Sequence, residues 1–210
     1  MRKELIFYID ETIAKNISFA IRDKFDYAVL ILNIVNSVKL SYALNIKSGY
    51  GEICIITEKM RRVVCRLESK IFSVSLPFTV RFQDDSVLFE SKTSGIIDSI
   101  LVSNALSVLN SEKLRSESCV AQLADLIIDM SYSKPELWSF LKELLFLEDS
   151  YLRFDHDSKN ENGSLHPLNH LDVFYSNSAT FKIGLHKKIE SSDFIDILDV
   201  KTDCHFLQKK

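Results

Sequence analysis

The sequence predicts an α+β chain, with antiparallel strands in its N- and C-terminal parts and a helical segment between them. Three observations carry this. "FSVSLPFTVRF" alternates with period two, "SKPELWSFLKELLFLE" repeats with the helical period, and "SYLRFDH", "HLDVFYS" and "TFKIGL" return to period two. Strands grouped, then helices, then strands again fit α+β rather than an alternating βαβ order.

Taken in order, Ile9, Ile13, Ile17 and Ile21 form a helix stripe with Asp10 as N-cap. "VKLSYALNIK" reads as a half-buried strand, with Val38, Leu40, Tyr42, Leu44 and Ile46 on one face, turned by "SGYG" into a partner "EICIIT". The segment "EKMRRVVCRLESKIF" admits two periods. A strand alternates only around Val63, Cys65 and Leu67. A helix places Met60, Val63, Leu67 and Ile71 on one face and Lys59, Arg62, Arg66 and Lys70 on another, and is preferred. Pro77 breaks the next run at a sheet edge or a strand switch, and "QDDS" turns it into "VLFE". From about 96 to 148 the chain reads as helical, including "CVAQLADLIIDM" and a last helix with Ser133 as N-cap and Pro135 in its first turn. Three strands follow, then a short helix "SSDFIDILDV" capped by Ser191 or Ser192. The expected organisation is a single domain over 1–210. It is divisible into a strand-rich segment over 1–92, a helical segment over 93–150, and a hairpin with terminal helix over 151–210.

With 210 residues, 46% of them hydrophobic and 26% charged, the chain can bury a full core without disulfides. A formal net charge of −3 gives no global basic field for nucleic acid. Cys54, Cys65, Cys119 and Cys204 include no C-x-x-C pair, which fits reduced thiols, buried by default, in a cytoplasmic protein. The longest apolar run, "YAVLILNIV", is far short of the roughly 20 residues of a membrane span, so no membrane partner is expected.

All five histidines lie at or beyond position 156. As strands, "YLRFDHD" places Arg153, Asp155 and Asp157 on one face, and "HLDVFYS" places His170 and Asp172 on one face. Paired, these strands bring Arg153, Asp155, Asp157, His170 and Asp172 together, with His166 entering from the loop. Such a set could hold a divalent metal through Asp155, Asp157, His166, His170 and Asp172. Without metal, Asp155 could orient His166 or His170 as a general base. The structural alternative pairs Arg153 with an aspartate and caps the histidines onto backbone carbonyls. Pro167 excludes a regular helix through His166 and His170, so the helical zinc motif is absent.

Lys59, Arg62, Arg66 and Lys70 would suit a phosphate backbone, but a solvated helix face paired with Glu58 and Glu68 is the plainer reading. "LESK" and "FESK" contain the E-x-K tail of a nuclease motif, with Asp84 and Asp85 close before Glu90. Asp193, Asp196 and Asp199 read as a solvated face of the final helix.

The stretch "YLRFDHD…HPLNHLDVFYSNSATFKIGL…DFIDIL" resembles a bacterial domain family of unknown function whose pattern is R-x-D, then H-P-x-x-H-L, a short hairpin and a final F-I-x-x-I/L helix. Arg153, Asp155, His166, Pro167, His170, Leu171, Phe194 and Ile195 carry the match over roughly 145–200. Members often sit beside phage-defence or mobile-element genes. The resemblance therefore implies an accessory or effector role, with a protein partner, in a bacterial immune system. The alternative expectation is a metal-dependent nuclease or phosphodiesterase built on Asp155, His166 and His170, with Arg153 steadying phosphate. No cofactor is expected beyond that divalent metal.

Overall fold

The computed structural model describes residues 4–57, 60–117, 128, 135–147, 150–176 and 179–206. Its described residues form antiparallel sheets and helices, an α+β arrangement in which strands occupy the N- and C-terminal parts and helices the middle. A large sheet runs in the order β1 (Glu4–Ile9), β2 (Gly51–Ile56), β3 (Arg62–Arg66), β4 (Lys70–Ser75), β8 (Leu152–His156), β9 (Asn169–Ser176), β10 (Ala179–Leu185). A smaller sheet holds β5 (Thr79–Gln83), β6 (Ser86–Ser91) and β7 (Gly95–Ile96). Pro77 falls between β4 and β5, where the chain leaves one sheet for the other. The β4–β8 pairing joins strands from the two ends of the sequence into one sheet.

The Asp10 cap is as expected: its carboxylate accepts from Ile13 N at 2.8 Å and opens α1 (Glu11–Asn16). The expected strand from Val38 is instead the end of α2 (Lys24–Ala43). Asp23 caps α2 by accepting from Asp26 N at 2.7 Å. Through most of its length α2 is buried on every side, inside the cluster shared by the large sheet, β6, α3 (Ser99–Leu109) and α5 (Pro135–Leu145). In its last turns Val38 and Ser41 face inward while Leu40, Tyr42 and Leu44 face solvent. That arrangement imitates period two. Asn45, at φ 50°, ends the helix, with Asn45 N donating to Tyr42 O and Ile46 N to Ser41 O.

"RVVCR" and "KIFSVS" are strands, not the expected helix. Val63, Val64 and Cys65 are all buried because the large sheet is covered on both faces, which removes alternation from the sequence. "EICII" is the expected strand but pairs with β1 and β3, not with the end of α2. α4 spans Glu112–Glu117, and α5 buries Leu137, Phe140, Leu141, Leu144 and Leu145 as its pattern predicts. Ser133 and, Ile128 apart, "CVAQLADLIIDM" lie outside the described residues.

The second face of the large sheet carries its own cluster. Ile56, Val64, Ile71, Phe154 and Leu171 pack with Phe194 and Ile195 of α6 (Ser191–Leu198). That helix is capped by Glu190, not Ser191 or Ser192, in a capping box with Asp193. No described helix is long and apolar enough to cross a membrane.

Candidate functional site

Directly paired residues in a sheet project to the same face, and the register of β4, β8, β9 and β10 builds two cross-strand rows. One runs Phe72, Arg153, Asp172, Lys182, and the next Lys70, Asp155, His170, Gly184. On the opposite face the interleaved row is Ile71, Phe154, Leu171 and Ile183, packed toward α6. Period two thus places apolar side chains under α6 and polar ones on the other side. Tyr151 and Phe72, with ring centroids 6.1 Å apart, mark the border between the main core and this polar ladder.

The structure brings Arg153, Asp155, His170 and Asp172 together. Arg153 Nε donates to Asp155 Oδ2 at 2.8 Å, and its Nη2 donates to Asp172 Oδ2. His170 is fully buried, and its Nδ1 lies 2.8 Å from Pro167 O. A carbonyl can only accept, so Nδ1 donates to it; the Lys182 ammonium, itself a donor, faces Nε2, which leaves an Nε2 lone pair turned inward. That lone pair faces Asp155 Oδ2 at 3.6 Å, Asp172 Oδ1 at 3.8 Å and Lys182 Nζ at 3.3 Å. Lys182 Nζ also lies 3.4 Å from Asp172 Oδ1, a buried atom that accepts no hydrogen bond. Gly184 makes room for the turn above: a Cβ there would meet Pro167 Cγ at 3.0 Å.

Asp157 and His166 stand apart from this core. His166 Nε2 is 3.3 Å from Asp157 Oδ2 without hydrogen-bond alignment, and its ring meets His170 edge-on at 4.7 Å between centroids. Hydrogen bonds from Asn160 hold the Asp157 carboxyl below its ordinary pKa. His156 projects to the other face, where Nδ1 meets Asn169 Oδ1 at 2.8 Å.

Burial opposes the Arg153 charge, but Tyr151, Asp155 and Asp172 outweigh it and raise its pKa. Burial lowers the Lys70 pKa, with Arg153 adding to the effect, while Lys70 Nζ donates to Ser18 O. Lys182 and Lys70 complete the rows although neither the R-x-D nor the H-P-x-x-H-L pattern includes them. The signal that could have found Lys182 is its place two residues before Gly184 on an alternating strand. Arg153 and Lys182 together balance Asp155 and Asp172 around the His170 ring.

The expected basic surface stripe is not formed. Lys70 projects toward the helix side of the sheet, while Arg62 and Arg66 project to the other. Arg62 donates to Ser73 Oγ and Ser150 O, Arg66 pairs with Glu52 at 2.7 Å, and Lys59 lies outside the described residues. Neither E-x-K assembles a carboxylate pair. Glu68 accepts from Tyr50, and Glu90 pairs with Arg81 at the far end of the hairpin whose tip carries Asp84 and Asp85. Cys54 and Cys65 are buried, but Cys204 is exposed, and Cys119 is outside the described residues. The chain matches no family model, no curated protein and no solved structure.

Proposed function

We propose that the chain is a non-catalytic binding component whose candidate site holds the fold together. The observation that carries this is the mutual engagement of the ladder. Arg153 bonds both carboxylates, Lys182 covers Asp172 Oδ1 and His170 Nε2, and His170 Nδ1 is bonded to Pro167 O. General acid–base catalysis needs a carboxylate or imidazole free to exchange a proton with a substrate. Here each already has an internal partner of opposite character.

Binding falls to the other end of the large sheet. β1 is its edge strand, and Glu4 is its only charged residue. Beside it runs a cavity of about 320 Å³ lined by Leu5, Ile6, Ser41, Tyr42, Ile46 and Phe82, among others. The Tyr42 and Phe82 rings lie 5.7 Å apart there, and Ile6, Tyr42 and Phe82 are exposed. An edge strand offers backbone donors and acceptors, so the guest that fits is an extended strand of a protein partner, with its apolar side chains in the groove. Ser41 Oγ already donates to Tyr8 O at 2.6 Å, which centres the guest nearer Ile6. A bacterial defence setting belongs to the same proposal and is supported by the resemblance over roughly 145–200.

The test is a pull-down with wild type and Ile6→Lys as paired baits, followed by reconstitution of any identified partner from pure components. A partner that binds wild type at least tenfold more tightly than the variant supports the reading. A reconstituted partner indifferent to Ile6→Lys, or robust turnover by the purified chain that Asp155→Asn abolishes, overturns it.

A further inference from the structure

We propose that Asp155, His170 and Asp172 form a divalent transition-metal site, and that the Lys182 ammonium occupies the cation's place as a tethered competitor. This goes beyond the binding role and does not depend on it. One ligand atom from each of the three residues falls within 4.8 Å of the other two. The separations of 3.6 and 3.8 Å from His170 Nε2 to the carboxylate oxygens approach the ~3.4 Å between neighbouring ligands of a tetrahedral ion bonded at about 2.0–2.1 Å.

Arg153 also bonds Asp155 Oδ2 and Asp172 Oδ2 from one side. The cation's place is therefore the side faced by His170 Nε2 and Asp172 Oδ1, and two features orient those atoms toward it. The Pro167 carbonyl fixes the His170 tautomer so that a lone pair points inward, as a carbonyl or carboxylate does behind a metal-bound histidine. Asp172 is 2% exposed, and its Oδ1 is aimed at the same point without accepting a hydrogen bond. Lys182 Nζ stands there, 3.3 Å from Nε2 and 3.4 Å from Oδ1. Its side chain is 30% exposed, so it reaches the site from the solvent side and can swing out without unpacking the core. Imidazole with two carboxylates is a nitrogen–oxygen donor set suited to Mn²⁺ and Zn²⁺. Asp157 and His166 pair with each other beyond His170 and are not ligands.

The experiment is titration of Mn²⁺ into the full chain by calorimetry, comparing wild type, Lys182→Met and Lys182→Met/Asp172→Asn. Manganese is the probe because His205 and Cys204 are exposed and adjacent, and would draw zinc. The guarded site predicts one Mn²⁺ per Lys182→Met chain, bound at least tenfold more tightly than by wild type, and loss of that binding in the double variant. Equal affinity in wild type and Lys182→Met, no binding in either, or binding that survives Asp172→Asn overturns it. If Lys182→Met does not fold, Lys182→Gln carries the same comparison. Bound Mn²⁺ without turnover leaves the non-catalytic reading standing, whereas Mn²⁺-dependent phosphodiester cleavage by Lys182→Met contradicts that reading alone.

Discussion

At Arg153, desolvation and charge act in opposite directions, and the two aspartates with Tyr151 decide the balance. Replacing Arg153 by Met removes the donor shared by two carboxylates, of which Asp172 is buried and keeps only Lys182. The cost expected for breaking a buried pair from one side is about 3–5 kcal/mol, readable as a lower urea midpoint. Tyr151 gives a pH signature. Burial, against the opposing pull of Arg153, pushes its pKa up to about 12. Between about pH 10 and pH 12 the unfolded chain loses this proton while the folded chain keeps it, so stability falls as pH rises. Its contribution, about 2–3 kcal/mol, is complete below about pH 10 and gone above about pH 12. Tyr151→Phe flattens that part of the stability–pH curve, measured by urea unfolding from pH 9 to 12. Period two alone placed Arg153, Asp155, His170 and Asp172 on facing sides of adjacent strands. Lys182 follows from the same alternation on the next hairpin strand, whereas Lys70 depends on the pairing of β4 with the distant β8, which no local pattern encodes.

Elements were legible where one face was wet. α5 and the strands after 150 show a clean period because each has a polar side or end. α2, β2 and β3 are covered on nearly all sides, so their apolar runs lose the contrast on which periodicity depends. The Arg62, Arg66, Lys70 spacing imitated a helix although a hairpin turn separates Arg66 from Lys70, with Leu67 N donating to Lys70 O at 2.9 Å. At the final helix, Ser191 and Ser192 are ordinary caps, but Glu190 and Asp193 satisfy each other's backbone groups one position earlier. Phe194, fully buried, is the anchor of that helix against the large sheet. Phe194→Ala is expected to cost about 3–5 kcal/mol in chemical denaturation.

On the scale of the whole molecule, one antiparallel sheet carries two different surfaces. Its β1 end is an exposed edge beside an apolar groove, and its β8–β10 end holds a charge-balanced ladder. Helices α1 and α2 cover one face of the N-terminal strands, and α6 packs on the other face near β8 and β9. The charge-balanced ladder and the apolar groove therefore lie at opposite ends of one sheet. Whether the ladder serves the fold or a substrate is read most directly by phosphodiester cleavage in Mn²⁺, with wild type and Asp155→Asn measured side by side. No cleavage above buffer by wild type, together with a lower unfolding midpoint for Asp155→Asn, is the expected result. Cleavage by wild type that Asp155→Asn removes while the fold persists would contradict it.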